Sequence, residues 1–434
     1  MTVKKLSIDS PRTLRVAIIG GGPGGLAAGI ALSALPNVDV SVFEQAKELR
    51  EIGAGVSIGY NTWKVLELLD AVEGVTGHRR VTVHHRNGIT GDVIGTFVSH
   101  LPTDYHPRRV RRTRLQSALL AKIPPGVVQL NKCLITLENL EQGGVQLGFK
   151  DGTKAIADLV VGADGIRSIT RENIFPEHKM TFTGTSIWRT LIPSTLVSHL
   201  TDLNYRTQWW HGPVGFVMTT PIDDPTVEVR EQQREFELSC HLTVDPKNNS
   251  EGKVRWGVDS TNERMRKHFM EYGPHVQEVL SLVPEGSWRE YSAFAGPRLQ
   301  SLIGWDKVVL VGDASHPLSG AFGSGAAFAM EDGWLLARVI EYTRSNSNPN
   351  PDSLAKALEI FNTFRSPYYL RMYEYLDSQK FKAQGAAKNA SDGKISNWEA
   401  VLSVKANSMI GEGLSWIFFS DIGDLWDKYV KEQS

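Results

Sequence analysis

RVAIIGGGPGGLAAGIALSAL, residues Arg15–Leu35, is the stretch that decides the fold. The apolar run Val16–Ile19 suits a strand buried on both faces. It leads into Gly20, Gly22 and Gly25, spaced G-x-G-x-x-G, and then into an alanine- and leucine-rich helical pattern. Strand, tight turn and helix in that order make a dinucleotide cradle. The first glycine permits the turn, the second lets backbone approach a pyrophosphate, and the third lets helix and strand pack closely. The helix N-terminus adds free N–H groups and a partial positive charge. VDVSVFEQ, Val38–Gln45, predicts a second strand and completes a βαβ unit. Glu44 closes it nineteen residues after Gly25, where a carboxylate can accept hydrogen bonds from an adenosine ribose. Spacing alone leaves NAD and FAD both open.

Two more strand ends follow. ADLVVGADGIRS, Ala157–Ser168, runs from an apolar strand into a charged turn carrying Asp164, Gly165, Arg167 and Ser168. Ligands of open α/β sheets lie at such C-terminal strand ends, although a plain surface turn reads the same way in isolation. VVLVGDASHPLSGAFGSGAAFAMEDG, Val308–Gly333, is a second glycine-rich strand-to-helix turn nearly three hundred residues after the first. Between them, Val128–Val161 alternates short β-rich runs with turns, which predicts hairpins. Thr181–Trp256 is rich in aromatic and β-branched residues and predicts a mostly antiparallel sheet. A helical pattern follows in NERMRKHFMEYGPHVQEVLSLV, and the chain after TRSNSNPNPDS reads as largely helical. The expected organisation is an α/β Rossmann-like domain over 13–180 plus 290–345, an inserted β-rich substrate domain over 181–289, and a C-terminal helical region over 352–434.

Composition bounds the function. With 434 residues the chain exceeds the usual size of a single core, so two joined domains are expected. Hydrophobic residues make up 41% and charged residues 22%, with net charge −1, a balance that gives nucleic acid or an anionic membrane no basic face to bind. Two cysteines, Cys133 and Cys240, form no disulfide framework and suit a reducing compartment. The N-terminal residues lack an apolar signal core, and no apolar run reaches membrane-spanning length, so the expected location is cytoplasmic. The twelve histidines do not gather with cysteines or carboxylates at ligand spacing, so no metal site is expected.

Taken in order, GGGPGG with Glu44, GADGIRS and VGDASHP resemble the motifs of the class A flavoprotein aromatic hydroxylases, which share the PHBH-like fold. They span Val16–Pro317, and ELREIGAGVSIGYNTWKVLELL also resembles that family, salicylate-hydroxylase-like members most of all. The resemblance implies one FAD in the first domain and no separate nicotinamide domain, with NAD(P)H as co-substrate and O₂ as oxidant. It implies Glu44 on the adenosine ribose, Arg50 and Arg112 on the flavin, Asp164 in a motif serving FAD and NAD(P)H, and Asp313 on the ribityl chain. Pro317, Gly323 and Gly325 would let backbone approach the isoalloxazine. Arg111 is an alternative to Arg112 if the alignment slips by one. Arg108–Arg114, RRVRRTR, lacks any recognition motif that would make it a nucleic-acid patch.

The implied activity is hydroxylation of a phenolic ring, with a hydroxybenzoate such as salicylate, hydroxylated with loss of CO₂, as the leading substrate. A larger phenol or heteroaromatic, or halogenase or reductase chemistry, is the alternative. A halogenase stretch W-x-W-x-I-P is incomplete here, because Thr190 stands at the second tryptophan position of WRTLIP. Arg189 is the candidate partner of a substrate oxyanion, since a planar guanidinium binds carboxylates bidentately, and a surface arginine in a strand is its bland reading. Trp209, Trp210 and His211 read either as an aromatic wall with a proton relay or as core. DDPTVEVREQQREFE, Asp223–Glu237, reads as an exposed hairpin or as a lid. The expected partners are a small aromatic substrate and O₂, and the expected state is a monomer or homodimer.

Overall fold

Four parallel strands bring every acid and glycine turn named above to one edge of a sheet. The computed structural model describes residues 13–49, 55–203, 205–227, 230–247, 255–318, 322–345, 353–390, 402, 404 and 412–433. Its first sheet runs Ile303–Gly304, Val308–Leu310, Leu159–Gly162, Leu14–Ile19, Val38–Phe43, Val128–Gln129, parallel apart from the first pair. Ile19 lies beside both Gly162 and Phe43, and Gly162 beside Leu310. Gly20, Glu44, Asp164 and Asp313 therefore leave the sheet at neighbouring C-terminal ends, the ligand edge of a doubly wound sheet.

The two glycine-rich turns also share a helix contact. Helix Pro23–Ser33, with Pro23 suited to its first turn, packs along helix Gly325–Ser345. A Cβ on Gly333 would stand 2.5 Å from the Ala28 nitrogen, so only glycine allows this approach. Leu26, Leu32, Phe328, Leu335, Ile340 and Phe361 form one continuous core around the pair.

An eight-stranded sheet forms the second body of structure. Its order is Trp256–Ser260, Trp288–Ala295, Thr181–Pro193, Glu235–Thr243, Gly215–Pro221, Thr207–Gly212, Thr82–Asn87, Val93–Val98. Every pairing is antiparallel except Thr207–Gly212 with Thr82–Asn87. Side chains alternate between its faces. Trp188, Trp210, Phe236, Leu238, Cys240 and Trp288 enter a core completed by Met265, Val276 and Leu280 from two short helices and by Phe269 between them. Ile187, Arg189 and Leu191 point the other way, toward the nucleotide-binding half.

Two sequence readings need correcting. The sheet is not confined to 181–289: Thr82–Asn87 and Val93–Val98 join it, and Trp288–Ala295 crosses the far boundary. TVHHRN has little apolar signal and is held by ladder bonds from Thr207–Gly212, far along the chain, and from its neighbour Val93–Val98. Nor is Asp223–Glu237 exposed throughout: Asp223, Asp224 and Glu237 at its ends are buried, while Pro225, Thr226, Arg230, Gln232 and Gln233 are exposed. The arginine run faces it. Arg109 grips both Glu237 oxygens at 2.6 Å, while Arg111 and Arg114 share Asp223 at 2.6 and 2.7 Å. The two charged runs neutralise each other inside the protein. The expected hairpins are present as Leu134–Asn139, Val145–Phe149 and Lys154–Ala157, and the C-terminal part contains helices Ser353–Ala390 and Ile422–Gln433. Among the described residues no helix is long and apolar enough to cross a membrane.

Candidate active site

The first strand ends in Gly20 at φ +106°, a left-handed conformation that favours glycine. A Cβ there would meet the Ala163 oxygen at 2.4 Å, so the first glycine turn rests on the backbone before Asp164. On Gly25 it would meet the Gly20 oxygen at 1.9 Å, which makes the helix–strand contact obligatory. At Gly22 it would meet nothing within 4 Å, leaving backbone open toward the cleft. Glu44 accepts the Gly21 amide at 2.6 Å and the Ala46 amide at 2.8 Å. Its carboxylate is thus fixed beside the turn with lone pairs to spare.

Asp164 is committed to its own turn. It accepts the Ser168 hydroxyl at 2.5 Å and both the amide and hydroxyl of Thr170 at 2.9 and 3.0 Å, while Ser168 caps the helix starting at Ile169. Burial pushes its carboxyl above the usual range, and these bonds oppose that. Asp313 differs. Protein surrounds it closely enough for burial to push its carboxyl up, against Arg112 and Arg171, yet the side chain is exposed to the cleft. Arg112, at the start of helix Arg112–Leu120, is the member of its run whose charge is set against Asp313 and Tyr291; Arg111 is taken by Asp223. Cβ atoms on Gly325 and Gly323 would lie 3.9 Å from Asp313 Oδ1 and Ser57 Oγ, so the glycine turn lines the same cleft. Pro317 is buried beside it. Arg50 lies outside the described residues. A bare backbone turn, a carboxylate fixed beside it and a carboxylate open to the cleft fit FAD.

Across the cleft stands the inner face of the eight-stranded sheet. Register places Arg189 opposite Ser239, Leu191 opposite Glu237, Ile187 opposite His241, His241 opposite Phe216, and Phe216 opposite His211. Three guanidinium groups, Arg80, Arg109 and Arg189, cluster around one carboxylate, Glu237. Burial pushes Glu237 up, but Arg109, with Arg189 behind it, outweighs that and holds it below the usual range. Burial lowers Arg80 to about 10, and Arg109 adds to the effect. Arg189 Nε is buried and has no hydrogen-bond partner among the described residues. On the same face, His211 is buried and its Nε2 lies 3.0 Å from His85 Nδ1. Burial, with help from Arg80 and His84, lowers His85 to about 4, so it is neutral at pH 7. The ring of Phe216 stacks on His241 at 4.1 Å between centroids. Trp209 belongs to this wall, while Trp210 points into the core behind it.

The chain is 31% identical over 378 residues to 6-methylsalicylate 1-monooxygenase of Aspergillus terreus, covering 81% of this chain and 78% of that protein. The chain belongs to the FAD-dependent aromatic monooxygenases. It is an oxidoreductase with FAD as cofactor, and NAD(P)H as co-substrate is typical of the family. It is also 27% identical over 396 residues to a salicylate hydroxylase of Pseudomonas putida, covering 83% of this chain and 84% of the relative. Identity to 6-hydroxynicotinate 3-monooxygenase of Bordetella bronchiseptica is 29% over 338 residues, covering 76% and 83%. No protein-family model matches it. A salicylate hydroxylase substrate complex superposes with a TM-score of 0.73 at 22% identity, over 96% of this chain and 98% of the other. CtdE with FAD and a substrate gives 0.77 at 17%, again over 96% and 98%. At that identity the solved structures establish the fold.

Several residues of this monooxygenase site escaped the sequence reading. Arg109 and Glu237 sit in charged runs whose only signal was their opposite sign. Ser57 lies in GAGVSIG, a stretch that resembles the family without marking the serine itself, and Arg80 and His85 carried no signal.

Proposed function

We propose that the protein is an NAD(P)H- and O₂-consuming hydroxylase of a phenolic aromatic acid, a hydroxybenzoate such as salicylate, which loses CO₂ as oxygen enters the ring. The observation that carries this reading is the cleft's excess of guanidinium: Arg80, Arg109 and Arg189 against the single carboxylate Glu237, with Arg189 Nε left unpaired. A buried cation without a counter-charge is costly, and an aromatic carboxylate supplies one. The relatives named for 6-methylsalicylate, salicylate and 6-hydroxynicotinate support an acidic ring as substrate.

Bound FAD, reduced by NAD(P)H, supplies the activation of oxygen. Glu44 holds the adenosine ribose, Asp313 the ribityl chain and Arg112 the flavin, while Gly323, Gly325 and Pro317 shape backbone against the ring. Arg189 orients the substrate carboxylate. The hydrogen-bonded pair His211–His85, with His85 neutral at pH 7, takes up the phenol proton, which makes the ring electron-rich. Trp209, Phe216 and His241 wall off water. The test is oxidation of NADH and NADPH across salicylate, other hydroxybenzoates and uncharged phenols, with products identified by mass. Coupled turnover confined to the acids supports the reading, and turnover of uncharged phenols alone contradicts it.

A further inference from the structure

Ser57 stands where the arginine cluster meets the glycine turn, and its hydroxyl is bound on one side only. Strand Gly55–Ile58 pairs antiparallel with Arg108–Arg111, placing Ser57 opposite Arg109. Arg80 Nη1 donates to Ser57 Oγ at 2.8 Å, and Arg109 Nη1 donates to the same oxygen at 3.0 Å. Both lone pairs of a serine oxygen are then used by charged donors. What remains is its single O–H, which has no protein acceptor among the described residues.

The surroundings fix what that hydrogen meets. Arg109 is held in place from behind by both oxygens of Glu237, and β-strand backbone presses against the pair: a Cβ on Gly55 would lie 2.2 Å from Glu237 Oε2. Arg80 Nε is buried and has no hydrogen-bond partner among the described residues. On the open side, Ser57 Oγ lies 3.9 Å from where a Gly323 side chain would begin. Two guanidinium groups donating to one hydroxyl polarise it and make it a stronger donor in a low-dielectric cleft. The local potential is positive, so the favoured acceptor is an anionic oxygen.

We infer that Ser57 is a specificity-determining contact, donating its hydrogen to the substrate's carboxylate and relaying the charge of Arg80 and Arg109 to it. The inference rests on the aromatic-acid reading above and adds a residue to it. It also explains the geometry of the cluster: Arg109 cannot leave Glu237 to reach substrate, and the serine carries its influence forward.

The experiment compares equilibrium binding of salicylate and of 2-hydroxybenzyl alcohol, its uncharged counterpart, to the FAD-loaded full chain by perturbation of the flavin absorbance. Ser57→Ala is expected to weaken salicylate by roughly 10- to 100-fold, the range of hydrogen bonds to charged groups, while leaving the alcohol unchanged. Ser57→Thr, which keeps a hydroxyl, is expected to retain the preference for the acid. FAD affinity, measured by titrating the flavin-free protein, is expected to be the same in wild type and Ser57→Ala. Unweakened salicylate binding, equal loss of both ligands, loss of FAD affinity, or a wild type with no preference for the acid each overturns the assignment. A wild type that binds salicylate through Ser57 and never hydroxylates it overturns the proposed function and leaves the serine contact standing.

Discussion

The carboxylate of Asp332 accepts the backbone amide of Gly312 at 2.8 Å. Its other oxygen takes Arg365 Nε at 2.5 Å and the Tyr369 hydroxyl at 2.7 Å. Gly312, at φ +58°, precedes Asp313 directly. The ring of His316 lies on that of Tyr369 at 3.4 Å between centroids, so helix Ser353–Ala390 grips both ends of the turn that presents Asp313. Tyr369→Phe keeps the ring stack and deletes two hydrogen bonds, the one the hydroxyl donates to Asp332 and the one it accepts from Arg365. We expect FAD affinity to fall by about fivefold, on the scale of about 1 kcal/mol reaching the cofactor through the loosened turn. Arg365→Met leaves Asp332 and Glu331 buried without their cation, and a loss of about 3–5 kcal/mol in unfolding free energy is expected from denaturant titration. Unchanged FAD affinity in Tyr369→Phe would show that the grip does not reach the cofactor.

Asp313→Ala should yield largely flavin-free protein, because this carboxylate is exposed to the cleft at the end of the strand beside the glycine turn. The check is the ratio of flavin to protein absorbance after purification. Full flavin content would remove Asp313 from the ribityl site.

Arg189→Met should raise the dissociation constant of salicylate by about 30-fold or more, on the scale of 2 kcal/mol upward for truncating a buried charge partner. Arg189→Lys should restore little of it, since an ammonium lacks the planar fork. Binding of an uncharged phenol should hardly move in either variant. Isothermal titration with both ligands separates these outcomes.

Glu331 gives the fold a pH signature. Burial pushes its carboxyl up to about 7 from 4.5, with Arg365 opposing. A carboxyl raised in the folded state binds more protons folded than unfolded between these values. Its contribution to stability is full below pH 4.5 and is lost as pH rises through 7. Denaturant midpoints measured across that window should fall with pH in wild type and fall less in Glu331→Gln.

Glycine turns and strand ends were legible because their chemistry is local. Gly20, Gly22, Gly25, Glu44 and the VGDASHP turn each announce a backbone geometry within a few residues, and parallel strands bring them to one edge. Contacts over long sequence distances were not legible. Arg109 meets Glu237 across 128 positions, and Arg365 meets Asp332 from beyond the last motif. Nothing local tells a solvated arginine run from one that folds onto a distant acidic run. Opposite charge in RRVRRTR and DDPTVEVREQQREFE was the available signal. TVHHRN carries little apolar signal, and one of its two ladder partners, Thr207–Gly212, lies far along the chain.

The central claim is that a cationic cleft beside the flavin selects an aromatic acid for hydroxylation. Its most direct measurement follows catechol and CO₂ formed per NADH consumed when the FAD-loaded protein turns over salicylate in air. The account predicts that salicylate accelerates NADH oxidation and that catechol and CO₂ appear in step with it, one each per NADH. NADH oxidation that salicylate and other hydroxybenzoates leave unchanged, with uncharged phenols hydroxylated instead, would contradict it.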